Sequence, residues 1–99
     1  MKGLKNRALR GVVMVALREN GEIGDHLIKI LVEKTPYEAS LEDIKKQMGY
    51  LEDKGYIRAE KVSIKEIGAS RMIAKLTFKG QDLLDGTIPP DEGVVMPDE

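Results

Sequence analysis

The chain has 99 residues, a formal net charge of −1 and no cysteine. That length suits one domain with a modest core and little room for a deep enzyme cleft. The lack of cysteine removes disulfides, thiolate zinc sites and cysteine nucleophiles. With 41% hydrophobic and 33% charged residues the composition is that of a soluble globular protein, and no apolar run is long enough to span a bilayer. The start, "MKGLKNRALRGVVMVALREN", turns from basic to apolar as a signal peptide does. However, Arg10 and Arg18 bracket only a short apolar run and no small-residue cleavage site follows, so a cytoplasmic protein is expected. Charge is unevenly placed: residues 1–80 sum to +5 and residues 81–99 to −6. Two basic segments and an acidic end lie behind the near-neutral total.

Leu4 to Glu19 predicts a first helix, with Leu4, Ala8, Val12 and Val15 or Ala16 as one stripe and Leu9, Val13 and Leu17 as a second. Gly21 is placed to end it, and Gly11 lies inside it. The band is wide for one buried face, so part of it is open to burial by a second subunit. A second helix is expected from Asp25, as its cap, to Lys34, stopped by Pro36. Leu27, Ile28, Ile30, Leu31 and Val32 predict a nearly central position. The third helix begins in "SLEDIKKQMGYLEDKGYIR", where Ser40 and Asp43 have capping-box spacing. Leu41, Ile44, Met48 and Leu51 define its buried stripe, and Gly55 its end.

The period then changes. "YIRAEKVSI" and "RMIAKLTF" predict a β-hairpin around the turn "KEIGAS". The alternation slips between Ala59 and Val62, where a bulge or strand end is expected. A short fourth helix follows, capped by Thr77, packed through Leu83 and Leu84 and ended by Gly86. The expected fold class is thus α+β, with a domain over residues 1–86. Residues 87–99, "TIPPDEGVVMPDE", form an acidic, proline-containing tail that is extended or mobile.

Three helices and a hairpin are the order of a winged helix-turn-helix. "YLEDKGYIR" resembles the segment that ends the third helix in MarR-, PadR- and ArsR-type winged-helix regulators. "AKLTFKGQDLLDG" resembles their passage from wing to last helix. "LTFKGQDLLDGTIPPDEGV" is also similar to the ending of small winged-helix proteins carried by Mu-like phages and prophages. The resemblance covers residues 4–95 and implies a winged-helix, DNA-binding regulator of phage or prophage type.

In such a motif the start of the third helix enters the major groove. Its outward positions are Glu42, Asp43, Lys46, Gly49, Tyr50 and Asp53, with Lys45 and Gln47 at the flanks. The candidate DNA-contacting residues there are Ser40, Lys45, Lys46, Gln47 and Tyr50, with Lys46 suited to guanine and Gln47 to adenine. Glu42 and Asp43 either complement the helix dipole or accept from cytosine. On the hairpin, Arg58, Lys61, Lys65 and Arg71, with Lys75, are candidates for phosphate. Lys2, Lys5, Arg7 and Arg10 extend this strip if the fold brings them to the same side. The expected partners are double-stranded DNA and a second copy through helix one. No catalytic residue, metal, cofactor, membrane or small-molecule substrate is expected. The alternative is a protein-interaction module, suggested by the acidic outer face of helix three. A third possibility is that the acidic tail covers the basic wing and competes with DNA.

Overall fold

The computed structural model describes residues 2–96, at Lys2 the backbone alone. The order is α1 (Lys2–Asn20), β1 (Ile23–Gly24), α2 (Asp25–Glu33), α3 (Leu41–Asp53), β2 (Ile57–Ile64), a 3-10 turn (Lys65–Ile67), β3 (Ala69–Leu76) and α4 (Phe78–Asp85). The strands make one antiparallel sheet in the order β1-β3-β2. With α3 as the second helix of the motif and β2–β3 as the wing, this is a winged helix-turn-helix fold.

Helix α1 runs through the centre of the molecule. It packs against α2, α3, β3 and α4, which accounts for its wide apolar band. Leu9, Val13, Met14 and Leu17 are fully enclosed, and Ala8, Val12 and Ala16 nearly so. Gly11 is buried among them. The band is therefore taken up within one chain, and Leu4, at 50% exposure, is the large apolar side chain of α1 left outside. The helix ends where expected, at Gly21, which has a φ of +76° and donates its N–H to Leu17 O at 2.9 Å.

Helix α2 differs from expectation in two ways. Only Ile28 and Val32 are buried with Asp25, while Leu27 and Ile30 are 43% and 51% exposed. The helix is short and peripheral, with an apolar face uncovered. Asp25 is also not its cap. Gly24 occupies that position, and the buried Asp25 carboxylate instead accepts the Met72 N–H of β3 at 3.2 Å. Burial of a carboxylate is tolerable because it is bonded on both oxygens.

In α3, Ser40 Oγ accepts the Asp43 N–H at 3.1 Å and Asp43 Oδ2 accepts the Ser40 N–H at 3.0 Å, the two bonds of a capping box. Ile44, Met48 and Leu51 are buried as the spacing predicts, with Leu41 half-buried. The helix stops at Gly55, φ +83°. Thr77 then caps α4 by accepting the Gly80 N–H, and its hydroxyl donates to Gly55 O at 2.6 Å. The two segments that carry the winged-helix resemblance are therefore in contact.

The hairpin has no bulge. Pairing runs one to one from Ile57–Leu76 to Ile64–Ala69. The apparent slip arises because Lys61, not an apolar residue, takes the inward position after Ile57 and Ala59, while Val62 faces out at 37% exposure. Inward positions near the tip lie beyond the helical body, where no core requires an apolar side chain. Residues 87–96 form an irregular segment with a turn closed by the Val94 N–H on Asp91 O at 3.1 Å, and they lie against the body: Val94 is 6% exposed within the core cluster, and Val95 N–H bonds Arg7 O at 3.0 Å. Residues 97–99 of the expected tail lie outside the described residues.

Candidate nucleic-acid interface

The first turns of α3 form the proposed reading head. Lys46 and Glu42 are exposed there, Ser40 is exposed beside them, and Lys45 and Asp43 are half-buried. The acids have a local role. Asp43 is held below the ordinary carboxylate range by the Ser40 backbone N–H, then by the Ser40 side chain, with Lys5 and Lys46 helping by their charge. Lys5 of α1 is thus brought close to the start of α3. Of the other N-terminal candidates, Arg7 donates to Gly3 O at 3.3 Å. Lys2 has its side chain outside the described residues.

Asp25 links this helix to the wing. Its Oδ2 accepts from Met72 and lies 3.7 Å from Lys45 Nζ, while Oδ1 is 2.8 Å from His26 Nδ1. Burial pushes its carboxyl upward, but the hydrogen bonds from the His26 side chain, the Met72 N–H and the His26 N–H outweigh that and leave it below the usual range. It is ionised at neutral pH and holds the Lys45 ammonium toward β3. Met72 faces Lys61 across the hairpin, so Lys45, Lys46 and Lys61 lie around one corner of the molecule. Beyond this rung the strands end in the exposed Lys65 turn. Arg71, two rungs from the last pair, is half-buried and donates to Ser70 O at 3.3 Å.

The basic residues of the hairpin do not form one strip. Strand alternation puts Lys61 on the inward face with Ile57, Ala59, Met72 and Ala74. Arg58, Arg71 and Lys75 are on the outer one. Arg58 and Lys75 form the second rung from the root, far from the start of α3.

Two residues expected on the reading face are elsewhere. Gln47 is 2% exposed and turned into the α1–α3 contact. Its Oε1 accepts from Arg10 Nε at 2.8 Å and its Nε2 donates to Asn6 Oδ1 at 3.2 Å. Both ends of the amide are occupied, so no donor–acceptor pair is free for adenine. Tyr50 is half-buried, because the Arg10 guanidinium lies 3.5 Å from its ring centroid and Gly93 packs on its hydroxyl. Arg10 also donates to Gly93 O at 3.0 Å. Gln47, Arg10 and Tyr50 clamp α1, α3 and the C-terminal segment together, which engages the Gln47 amide and the Arg10 guanidinium within the chain. The acidic segment completes the clamp. Asp91 accepts the Tyr56 hydroxyl at 2.6 Å and lies 3.8 Å from Lys54 Nζ. Asp91 of the acidic segment therefore sits at the end of α3 rather than over the tip of the wing.

Among the described residues no group of three or more His, Asp or Glu could hold a metal ion, and no helix is long and apolar enough to cross a membrane. No family model matches the sequence, and no curated protein matches it. Among solved structures the chain is similar to PadR of Bacillus subtilis in complex with operator DNA, with a TM-score of 0.66 and 23% sequence identity. The match covers 94% of this chain and 52% of that one, so the chain spans about half the length of this structural neighbour. What this likeness establishes, together with the element order, is the winged-helix fold.

Proposed function

We propose that the protein is a DNA-binding transcriptional regulator that sets the first turns of α3 into the major groove and the outer part of the wing on the flanking backbone. The observation that carries this reading is the Asp25 carboxylate, which joins Lys45 of α3 to Met72 of β3, the residue opposite Lys61 on the wing. The likeness to a winged-helix chain solved with operator DNA supports it. Lys46 is the residue placed to meet a base edge, and Ser40, Lys45, Lys61, Lys65 and Arg71 meet phosphates. Glu42 faces the same groove and restricts which bases it accepts. In this reading residues 1–86 supply the DNA-binding elements, and the segment from residue 87 clamps α1 to α3. The phage or prophage type rests on the resemblance of residues 76–94, and a cytoplasmic site of action on the short apolar run between Arg10 and Arg18 with no cleavage site after it.

A second copy fits the same reading. Leu4 and Ala8 of α1, with Tyr37 and Val95, line an apolar cleft of about 420 Å³ at the surface. A homodimer through this part of α1 would present two α3 helices to two half-sites. Sedimentation equilibrium should show a dimer that Leu4→Ser weakens; a monomer at all concentrations would remove the dimer from the account.

The DNA reading is tested by fluorescence anisotropy at low salt, on random and prophage-promoter duplexes. Binding is expected to both, tighter to the promoter, and lost in Lys46→Glu/Lys61→Glu. No binding by the wild-type chain, or equal binding by the variant, would overturn it.

A further inference from the structure

A second surface, remote from the corner just described, has the marks of a docking site. Phe78, the only phenylalanine of the chain, is 92% exposed at the start of α4. The packing of that helix is carried by Leu83, Leu84 and Gly80, so the fold makes no use of the ring. Beside it, Arg58 and Lys75 stand directly opposite each other on the outer face of the sheet. Like charges in that relation destabilise a strand pair. Among the described residues neither has an ion-pair partner. The ring and the two cations line one cleft of about 400 Å³ with Leu76, Thr77 and Gln81. On the far side of the cations a smaller cleft adds Glu22, Glu60 and Ile73.

We propose that this cleft at the root of the wing docks a protein partner through an acidic peptide segment bearing one apolar anchor residue. The anchor packs on Phe78, and the acidic group lies between Arg58 and Lys75. Glu22 and Glu60 give the site a direction, since beyond the acid the partner must be neutral or basic. The same two acids disfavour a nucleic-acid strand, whose regularly spaced phosphates would run onto them. Position separates this surface from the proposed DNA-contacting corner as well. The outer face is the side of the sheet turned away from α3. The Arg58–Lys75 rung is six rungs from the last pair at the tip, or about 20 Å at the usual strand rise. A partner docked here leaves the start of α3 and the wing tip free.

The test uses the full chain and fluorescein-labelled synthetic dodecapeptides in which leucine or phenylalanine precedes two aspartates at varied spacing. At least one spacing should bind, shifting the backbone amide resonances of Arg58 and residues 75–81 while those of residues 40–46 stay in place. Phe78→Ser and Lys75→Glu, both at exposed positions and checked for folding by circular dichroism, should each weaken binding by about tenfold or more. A peptide with lysine in place of aspartate should not bind. DNA affinity should be unchanged in Phe78→Ser, so failure here is distinct from failure of the DNA reading. The proposal is overturned if no spacing binds at millimolar peptide. It is equally overturned if oligothymidylate shifts the same resonances at lower concentration, or if the chain self-associates without peptide and Phe78→Ser abolishes that.

Discussion

Gly80 lies where α4 passes over the backbone of Tyr56, and a Cβ there would run into the Tyr56 carbonyl oxygen. The obstacle is main chain and cannot swing aside, so Gly80→Ala should cost about 3 kcal/mol or prevent folding. Gly49, inside α3, has open space around its missing Cβ, so Gly49→Ala should instead stabilise by about 0.5–1 kcal/mol. Urea unfolding of the two variants checks this contrast; equal and small effects would mean that α4 does not cross Tyr56 this closely. The Tyr56–Asp91 bond makes a pH prediction. The Tyr56 hydroxyl, then the Gly93 N–H, hold Asp91 below the ordinary carboxylate range. Its contribution is therefore present above the unfolded value of about 3.9 and lost as pH falls through the lower folded value. Burial first, and the bond to Asp91 next, push the Tyr56 phenol up to about 12. Its contribution is whole below the unfolded value of about 10 and lost as pH rises toward the folded one. Tyr56→Phe should cost about 1–2 kcal/mol at neutral pH and remove the alkaline loss. A variant as stable as the wild type would show that the bond contributes nothing. Single residues of this kind were the least legible in the sequence. Gln47 sits at the flank of the buried stripe of α3 and Tyr50 at an outward position. What covers them, Arg10 and Gly93, comes from 37 and 43 residues away along the chain, beyond the reach of any local pattern.

Elements were legible where a local rule decides them. The capping box of α3, the glycine stops of α1, α3 and α4 and the Thr77 cap all occur at the expected residues. Each rests on a hydrogen bond within one turn or on a positive φ. The motif spacing went further, because "LEDKGYI" and "LTFKG" meet through the Thr77–Gly55 bond, a tertiary contact written into two short segments. Two elements depart from their sequence patterns for physical reasons. An apolar α2 was expected at the centre, yet Leu27 and Ile30 are exposed because α1 already fills that place. The hairpin was expected to slip, yet the register is continuous because its outer rungs have no core to face. The C-terminal segment behaves as an element too. With Val94 inside the core cluster, Val94→Ala should cost about 2 kcal/mol in a denaturation experiment. A change near zero would mean that residues 87–96 are not bound to the body in solution.

At the scale of the molecule, the near-zero net charge conceals a division of the surface. Lys45 and Lys46 stand beside Glu42 and Asp43 in the first turns of α3, Lys61 is on the inward face of the wing, Asp91 is held at the end of α3 by Tyr56 and Lys54, and a separate aromatic and basic surface lies at the root of the outer face. The sequence disclosed the fold and the presence of basic residues on the wing. It did not disclose their division between two faces, because Lys61 breaks the apolar alternation from which the phase is read. That division makes the central claim testable. A phosphate contact releases counterions, so losing one lowers the slope of log affinity against log salt by about one. The decisive measurement is this slope for the wild type, Lys61→Ala and Arg58→Ala on one duplex. The account predicts a slope reduced by about one in Lys61→Ala and unchanged in Arg58→Ala. A loss confined to Arg58→Ala would contradict it, as would a wild-type chain with no measurable binding at low salt.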